Sequence, residues 1–252
     1  MTTNPLLETY LRQLRLPTFI KSYQIFAADA ARNNFDHVRY LQALVEQEIN
    51  SRDQNRIERR IKAARFPVLK ELADFDFSVL PSLNKALILD LARGEYISSR
   101  STLIFTESAE LGNPGLGKTH LAISLALAAC RQGHKVRFWT AANLVNEVIS
   151  AQDEHRLHKL ISTAQKLNLV VIDELGFIPF TANGAHALFT FCSEIYERVA
   201  LILTTNLHFS DWNQLFGDER LTAALLDRLT HHAAIVELVG ESYRFRQRMQ
   251  EK

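Results

Sequence analysis

The sequence predicts an α/β protein in which helices flank a parallel sheet, preceded by a small all-α region. From about residue 96 onward, short apolar segments rich in β-branched residues alternate with helical patterns, as in sheets covered on both faces. Residues 1–95 show helical periodicity only. A glycine-rich loop at residues 112–119 has the form G-x-x-x-x-G-K-[ST], which is typical of P-loop NTPases. We therefore predict a helical N-terminal domain, 1–95, and a P-loop domain, 96–252.

Prolines and capping residues bound the helices of the N-terminal region. Pro17 interrupts a first helical pattern, Asp36 is placed to cap a third helix, and Pro67 ends that helix. Gly94 follows the last helical pattern of this region. The predicted helices cover about residues 6–14, 18–32, 37–66 and 82–93.

The alternating part contains four clear strand candidates after the glycine-rich loop. Each is a run of apolar, β-branched or aromatic residues. Helical patterns precede and separate these runs, so we expect consecutive strands to be parallel and joined by helices. The strand candidates are 135–140, 167–173, 199–205 and 233–238, and the helices are 118–131, 141–151, 155–166, 184–196 and 219–230.

The bulk composition is that of an ordinary globular protein. The formal net charge is only +1, so affinity for nucleic acid has to come from local clusters of basic residues. Cys130 and Cys192 lie in apolar helical surroundings, which favours free thiols and a reducing cytoplasm over a disulfide framework. The start of the chain lacks the pattern of a signal peptide, and no apolar run is long enough to span a membrane. We expect a cytoplasmic protein without a membrane partner.

The glycine-rich loop carries the chemistry of a triphosphate site. Glycines let backbone N–H groups turn inward onto phosphate oxygens, and the helix that follows points its N-terminus at the anion. Lys118 would reach the β- and γ-phosphates of ATP, and the Thr119 hydroxyl would bind Mg²⁺. The complete loop comprises Gly112, Asn113, Pro114, Gly115, Leu116, Gly117, Lys118 and Thr119.

A second motif, LVVIDELGF, places two adjacent carboxylates at the end of a buried strand. Carboxylates at the C-terminal ends of parallel strands lie where ligands bind in open α/β sheets. Asp173 would hold the Mg²⁺ and Glu174 would polarise the attacking water. Many strands end in acidic turns, so this motif is weak alone, and it becomes strong when paired with the phosphate loop.

Three further polar residues are candidates for the same site. Asn206 follows a strand and is placed to orient the water, although a turn asparagine fits the same position. Arg228, on the last helix, suits either an arginine finger for a neighbouring subunit's γ-phosphate or an ion pair with Asp227 or Glu219. Arg244 either contacts the nucleotide of its own chain or belongs to a basic, solvated tail.

A basic cluster at the end of the long N-terminal helix is the candidate for DNA contact. Arginine and lysine on one helix face can bind phosphates without reading base sequence, and a solvated helix face has the same composition. The nearby aromatic residues Phe66, Phe75 and Phe77 are expected to fill the core rather than stack on bases. The basic residues are Arg52, Arg56, Arg59, Arg60, Lys62 and Arg65.

Five segments together resemble the IstB-like ATPases, helper proteins encoded beside the transposase of an insertion-sequence family. They are GNPGLGKTHLA, VVIDELGFIPF, LTTNLHFSDWNQLFGDE, AALLDRLTHHAAIVEL and GESYRFR, and the resemblance extends over nearly the whole chain. The family is related to DnaC-type helicase loaders within the AAA+ class. By this resemblance residues 112–119 are the Walker A motif, and Asp173 with Glu174 is Walker B. Asn206 is then the sensor-1 residue, Arg228 falls on the arginine-finger helix, and Arg244 falls near sensor 2.

The resemblance implies an AAA+ ATPase that uses ATP and Mg²⁺. It implies assembly into a homo-oligomer through nucleotide interfaces, binding to double-stranded DNA, and stimulation of the transposase of the same element. The motor would select or remodel target DNA and would not itself cut or join strands. A helicase loader and a DNA-binding scaffold with an impaired P-loop are the alternatives.

The stretch before the phosphate loop departs from the family pattern. Relatives run an apolar strand straight into the first glycine, whereas here six residues, 106–111, separate Phe105 from Gly112. Three arrangements are compatible with this sequence. TLIFT is the strand and ESAEL loops out, or the strand slips to SAELG, or the insertion spoils the site. The first is favoured because residues 103–105 form the only strand-grade apolar run nearby.

Overall fold

A computed structural model describes residues 4–107, 115–177 and 179–240. The chain divides into two compact units, Met1–Arg59 and Arg60–Lys252. The boundary that the sequence suggests, at residues 95 and 96, falls inside the second unit, because residues 60–95 pack with the sheet that follows them. The role of the N-terminal region in DNA or partner contact stays a prediction.

The first unit is built from helices whose ends follow local sequence signals. Asn4 caps the first helix through the Leu7 N–H, and proline opens the first and second helices. Asp36 Oδ1 accepts the Arg39 N–H at 2.7 Å and so caps the third, as predicted. The helices are α1 (Pro5–Gln13), α2 (Pro17–Arg32) and α3 (His37–Ala64).

The apolar stripe of α3 is mostly exposed. Five apolar residues recur at helical spacing along its first half, and of these only Leu44 is buried, whereas Val38, Leu41, Val45 and Ile49 are exposed. The periodicity predicted the helix correctly. The described residues do not pack over this face of α3.

The second unit is a five-stranded parallel sheet with helices on both faces. The spatial order of the strands is β2-β3-β4-β1-β5, and every described pairing is parallel. The strands are β1 (Thr102–Glu107), β2 (Val136–Thr140), β3 (Leu169–Leu175), β4 (Ala200–Thr205) and β5 (Ala233–Leu238). The helices are α4 (Lys85–Leu91), α5 (Glu95–Ser98), α6 (Lys118–Arg131), α7 (Ala141–Asp153), α8 (Leu157–Ala164), α9 (Ala182–Ile195), α10 (Trp212–Phe216) and α11 (Glu219–Thr230).

The predicted α/β architecture is confirmed, with two local differences. β3 continues through both acidic residues to Leu175, past an irregularity in its pairing with β4, whereas the sequence ends it at Asp173. The short helices α5 and α10 escape prediction because four or five residues are too few to show a period.

The strand before the phosphate loop is TLIFTE. This decides between a strand at TLIFT and a strand slipped to SAELG, two of the three arrangements compatible with the sequence. β1 pairs with β4 from Thr102 to Phe105 and with β5 from Thr102 to Glu107. A strand slipped to SAELG is therefore wrong. Glu107 belongs to the strand rather than to the loop, because its backbone lies in register with Leu238. Residues 108–114 lie outside the described residues.

The sheet has an apolar core on each face. Along β1, Leu103 and Phe105 pack into one core and Ile104 into the other, as the alternation of a strand requires. Phe66, Phe75 and Phe77 pack against the first of these cores, as expected.

Both cysteines are buried and free. Burial raises the pKa of the Cys130 thiol to about 11 and that of Cys192 to about 12. Among the described residues no helix combines the length and the apolar character needed to cross a bilayer.

Candidate nucleotide-binding site

A cleft of about 630 Å³ opens at the C-terminal ends of β1, β3 and β4. In open parallel sheets this edge is the usual ligand site. One wall is formed by the segment 68–80 and the opposite wall by the tips of β3 and β4. The residues of the phosphate loop and of the turn that follows it that line the cleft are Gly115, Leu116, Gly117, Lys118, Thr119 and His120.

Gly117 is the last glycine of the phosphate loop, and only glycine fits there. Its φ is +96°, and a Cβ at this position would lie 2.7 Å from Cε2 of Phe75. Both the left-handed backbone and the close approach of the ring therefore exclude a side chain. α6 starts at the next residue, so its first N–H groups face the cleft.

Asp173 lies beneath the cleft and is held by two hydroxyl groups. Thr119 donates to Asp173 Oδ1 at 2.9 Å, and Thr204 donates to the same oxygen at 2.6 Å. Burial raises the pKa of Asp173, and the two hydroxyl bonds and the Lys118 charge oppose that rise. Thr119 and Asp173, which the sequence analysis assigns separately to Mg²⁺, are thus in direct contact.

Glu174 is exposed at the tip of β3 in a left-handed conformation with φ of +61°. Its N–H donates to Thr204 Oγ1 at 2.9 Å. Thr204 therefore fixes both carboxylate residues, because one hydroxyl bonds the side chain of Asp173 and the backbone of Glu174. Left-handed backbone in a residue other than glycine is uncommon and occurs often at functional sites.

Lys118 forms an ion pair with Glu107 at the end of β1. The two side chains are only 12% and 6% exposed, respectively. The Glu107 carboxylate thus already contacts the Lys118 ammonium, which the sequence analysis assigns to the phosphates of ATP.

The remaining predicted site residues divide into three groups. Asn206 lines the cleft at the tip of β4, which lies between β3 and β1. Arg228 does not line the cleft of its own chain. It donates to the Ala224 carbonyl at 2.8 Å and lies over Phe189, and within the described part of the chain it pairs with neither Asp227 nor Glu219. Gly112, Asn113, Pro114 and Arg244 lie outside the described residues.

The predicted DNA-binding cluster follows the C-terminal half of α3. Arg52 pairs with Glu48 and donates to the Arg15 carbonyl, and Arg56 pairs with Asp53. Arg59, Arg60, Lys62 and Arg65 have no carboxylate within 4.0 Å among the residues that the structure describes. DNA contact by this cluster stays a prediction.

Sequence reasoning missed three residues of the site. Thr204 gave a weak signal, since it is one of two threonines before Asn206. Phe75 was assigned to the core, and it also lines the cleft. Glu107 was assigned to a loop, because nothing local connects it with a lysine eleven positions later.

Comparison with known proteins identifies the family. The profile of the IstB-like ATP binding proteins matches residues 9–251. The chain belongs to this family. Among its relatives, the putative ATP-binding protein of insertion sequence IS5376 from Geobacillus stearothermophilus is 37% identical over 244 residues, covering 96% of this chain and 95% of the relative. The insertion sequence IS21 putative ATP-binding protein from Pseudomonas aeruginosa is 33% identical over 242 residues, covering 96% and 89%.

Solved structures show that this IstB-like protein has the fold of AAA+ P-loop NTPases. The replication initiator DnaA, in a structure bound to AMPPCP and single-stranded DNA, aligns with a TM-score of 0.53 at 17% identity, over 72% of this chain and 54% of that one. DnaI aligns with a TM-score of 0.53 at 15% identity, over 67% and 90%. The predicted AAA+ fold is therefore confirmed.

Proposed function

We propose that this chain is an ATP-dependent, DNA-binding helper ATPase that assists the transposase of its insertion sequence by selecting or remodelling target DNA. The observation that supports it best is that Lys118, Thr119 and Glu174 line one cleft and that Thr119 is bonded to the buried Asp173, in a chain of the IstB-like family. Thr119 and Asp173 lie 54 positions apart in the sequence and come together only through the parallel sheet.

The residues of the cleft suit hydrolysis of the γ-phosphate. Lys118 and the N-terminus of α6 bind the phosphates. Thr119 and Asp173 offer two hard oxygen ligands, a hydroxyl and a carboxylate 2.9 Å apart, which fits Mg²⁺. When bound, that ion would neutralise charge on the phosphates. Glu174 accepts a proton from the attacking water, which Asn206 orients, while the bond from the γ-phosphorus to its bridging oxygen breaks.

Glu107 competes with ATP in this scheme. Lys118 reaches a phosphate only after its ion pair with Glu107 opens, because the pair occupies the ammonium. Nucleotide binding thus exchanges a carboxylate for a phosphate on Lys118. The segment before the phosphate loop then weakens the site without removing any of its chemical groups.

Arg228 and the basic residues of α3 act outside the cleft. Since Arg228 does not line its own cleft, it would complete the site of a neighbouring subunit in a homo-oligomer, and Arg244 would contact the nucleotide of its own chain. Lys62 and the arginines from Arg52 to Arg65 would bind phosphates of double-stranded DNA without reading sequence. ATP binding would promote assembly on DNA, and hydrolysis would release it.

The ATPase rate of the full chain, with and without duplex DNA, tests this proposal. We expect turnover that duplex DNA stimulates and that Lys118→Ala abolishes. Lys159→Ala, at an exposed lysine of α8, is the matched control and should retain the parent rate. Equal rates in the parent and in Lys118→Ala would refute the ATPase assignment.

Two further measurements separate the alternatives. Capture of the purified transposase of the element, and not of a replicative helicase, is expected of a transposition helper, and the reverse result would indicate a helicase loader. A parent chain that binds duplex DNA but no nucleotide, together with nucleotide binding by a variant lacking residues 107–111, would indicate a scaffold with an impaired P-loop.

A further inference from the structure

A second cleft, of about 400 Å³, lies away from the nucleotide site at the start of β2. It is bounded by the end of α3, by β2 and by α8, all within the second unit. Four cationic side chains line it, and Glu147 is the one carboxylate among its lining residues in the described part of the chain. The cations are Arg60, Arg65, Lys135 and Arg137.

The positive charge of this cleft is only partly compensated, because four cations and one carboxylate are among its described lining residues. No carboxylate of the described chain lies within 4.0 Å of any of the four cations. Glu147 offsets part of this charge, since its carboxylate interacts electrostatically with Arg137, and its Oε2 accepts the Trp139 indole N–H at 2.7 Å. Four like charges around one concavity repel one another, and an anion is the ligand that relieves this repulsion.

Arg137 is held in place by its neighbours in this cleft. Its guanidinium lies 4.9 Å from the centroid of the Trp139 ring, and one terminal nitrogen donates to the Ala63 carbonyl at 3.4 Å. Its Nε is buried and has no hydrogen-bond partner among the described residues. Burial, and then the charge of Arg65, lowers the pKa of Arg137, which indicates the cost of this arrangement. A guanidinium positioned in this way at the lining of a cleft suits recognition of a phosphate oxygen.

We propose that this cleft binds one backbone phosphate of duplex DNA through Lys135 and Arg137, with Arg60 and Arg65 beside it. The proposal rests on the proposed DNA-binding function and extends it, because Lys135 and Arg137 lie far in sequence from the basic cluster of α3. α3 ends next to the cleft, so Arg60 and Arg65 belong to both groups. A phosphodiester is favoured over an acidic peptide because Arg60 and Arg65, which line the cleft, already belong to the cluster assigned to DNA phosphates.

The test is duplex DNA binding by the full chain, measured by fluorescence anisotropy over a series of salt concentrations. Each phosphate contact contributes about 0.9 to the slope of log K against log salt. We expect Lys135→Gln and Arg137→Gln each to weaken binding severalfold and to lower the slope by up to that amount, with no change in nucleotide affinity. Lys159→Gln removes an equal charge from α8 outside the cleft and should leave the slope unchanged.

The outcomes separate this inference from the proposed function. If the parent binds DNA and both cleft variants keep its slope, the cleft does not bind DNA and the proposed function stands. If the parent binds no DNA, both fail. If inorganic phosphate binds but the slopes do not change, the cleft is a small-anion site only and the inference is overturned. Lys135 is exposed, so Lys135→Gln decides the matter even if Arg137→Gln does not fold.

Discussion

Replacing Glu107 by glutamine should tighten ATP binding. Glu107 lies in the segment that departs from the family pattern. The substitution keeps the shape and removes the charge that holds Lys118. In the parent, ATP must displace this carboxylate and then bind with it nearby. At an effective dielectric constant of about 20, two unit charges about 8 Å apart repel by about 2 kcal/mol. We therefore expect roughly ten- to thirtyfold tighter binding of ATP by Glu107→Gln.

The same substitution should lower the stability of the nucleotide-free protein. Opening a nearly buried ion pair leaves Lys118 without its counter-charge, which is costly in a buried setting. Affinity and stability thus move in opposite directions, and general misfolding cannot produce that pattern. Titration with a fluorescent ATP analogue and thermal unfolding without nucleotide measure the two quantities.

Glu237→Gln is the matched control for this experiment. Glu237 lies beside Thr106 on β5, is exposed, and forms no ion pair with a described residue. Its loss should leave both quantities close to those of the parent. Unchanged or weaker ATP binding by Glu107→Gln would show that the carboxylate does not compete with the phosphates, and the reasoning would be refuted.

Three further predictions concern the acidic end of β3. Thr204→Val removes the hydroxyl shared by Asp173 and Glu174, and should lower stability by about 2–3 kcal/mol and kcat at least tenfold. Thr222→Val is the control, because among the described residues that hydroxyl bonds only the carbonyl of Asp218, which caps α11. It should lower stability by about 1 kcal/mol and leave kcat unchanged. Asp173→Asn should raise the unfolding temperature at pH 7. The raised pKa of Asp173 means that its ionised form destabilises the folded state, and this gain should shrink as the pH falls towards the ordinary value of 3.8. If Asp173→Asn raises the unfolding temperature equally at pH 7 and at pH 4, the raised pKa of Asp173 is contradicted. Glu174→Gln should bind ATP like the parent and turn it over at least a hundredfold more slowly; a parent-like rate would exclude Glu174 as the base.

The sequence predicts the order of elements and the place of the candidate catalytic groups because both follow from local patterns. Leu103, Ile104 and Phe105 mark β1, and the parallel arrangement brings the Asp173 carboxylate to the phosphate loop. Strand-end chemistry in an open sheet is a consequence of topology, so the order of strands and helices along the chain is enough to predict it.

The features that the sequence does not predict are those that depend on distant partners. Glu107 completes a strand although it is charged, because β5 supplies its backbone partner and Lys118 supplies its counter-charge. The left-handed backbone of Glu174 depends on the Thr204 hydroxyl from a different strand. Neither effect leaves a mark on hydropathy or periodicity, since each arises only after the sheet has assembled.

The unreactive thiols of Cys130 and Cys192 make site-specific fluorescent labelling of this protein practical. Alkylating reagents attack the thiolate, and with pKa values of about 11 and 12 almost none is present at neutral pH, while the packing around both sulfurs keeps reagents out. A single cysteine introduced on the surface would therefore carry a fluorophore with little background from the native pair. Energy transfer between chains labelled in this way would test the proposed assembly, and would report rearrangements during the proposed ATP turnover.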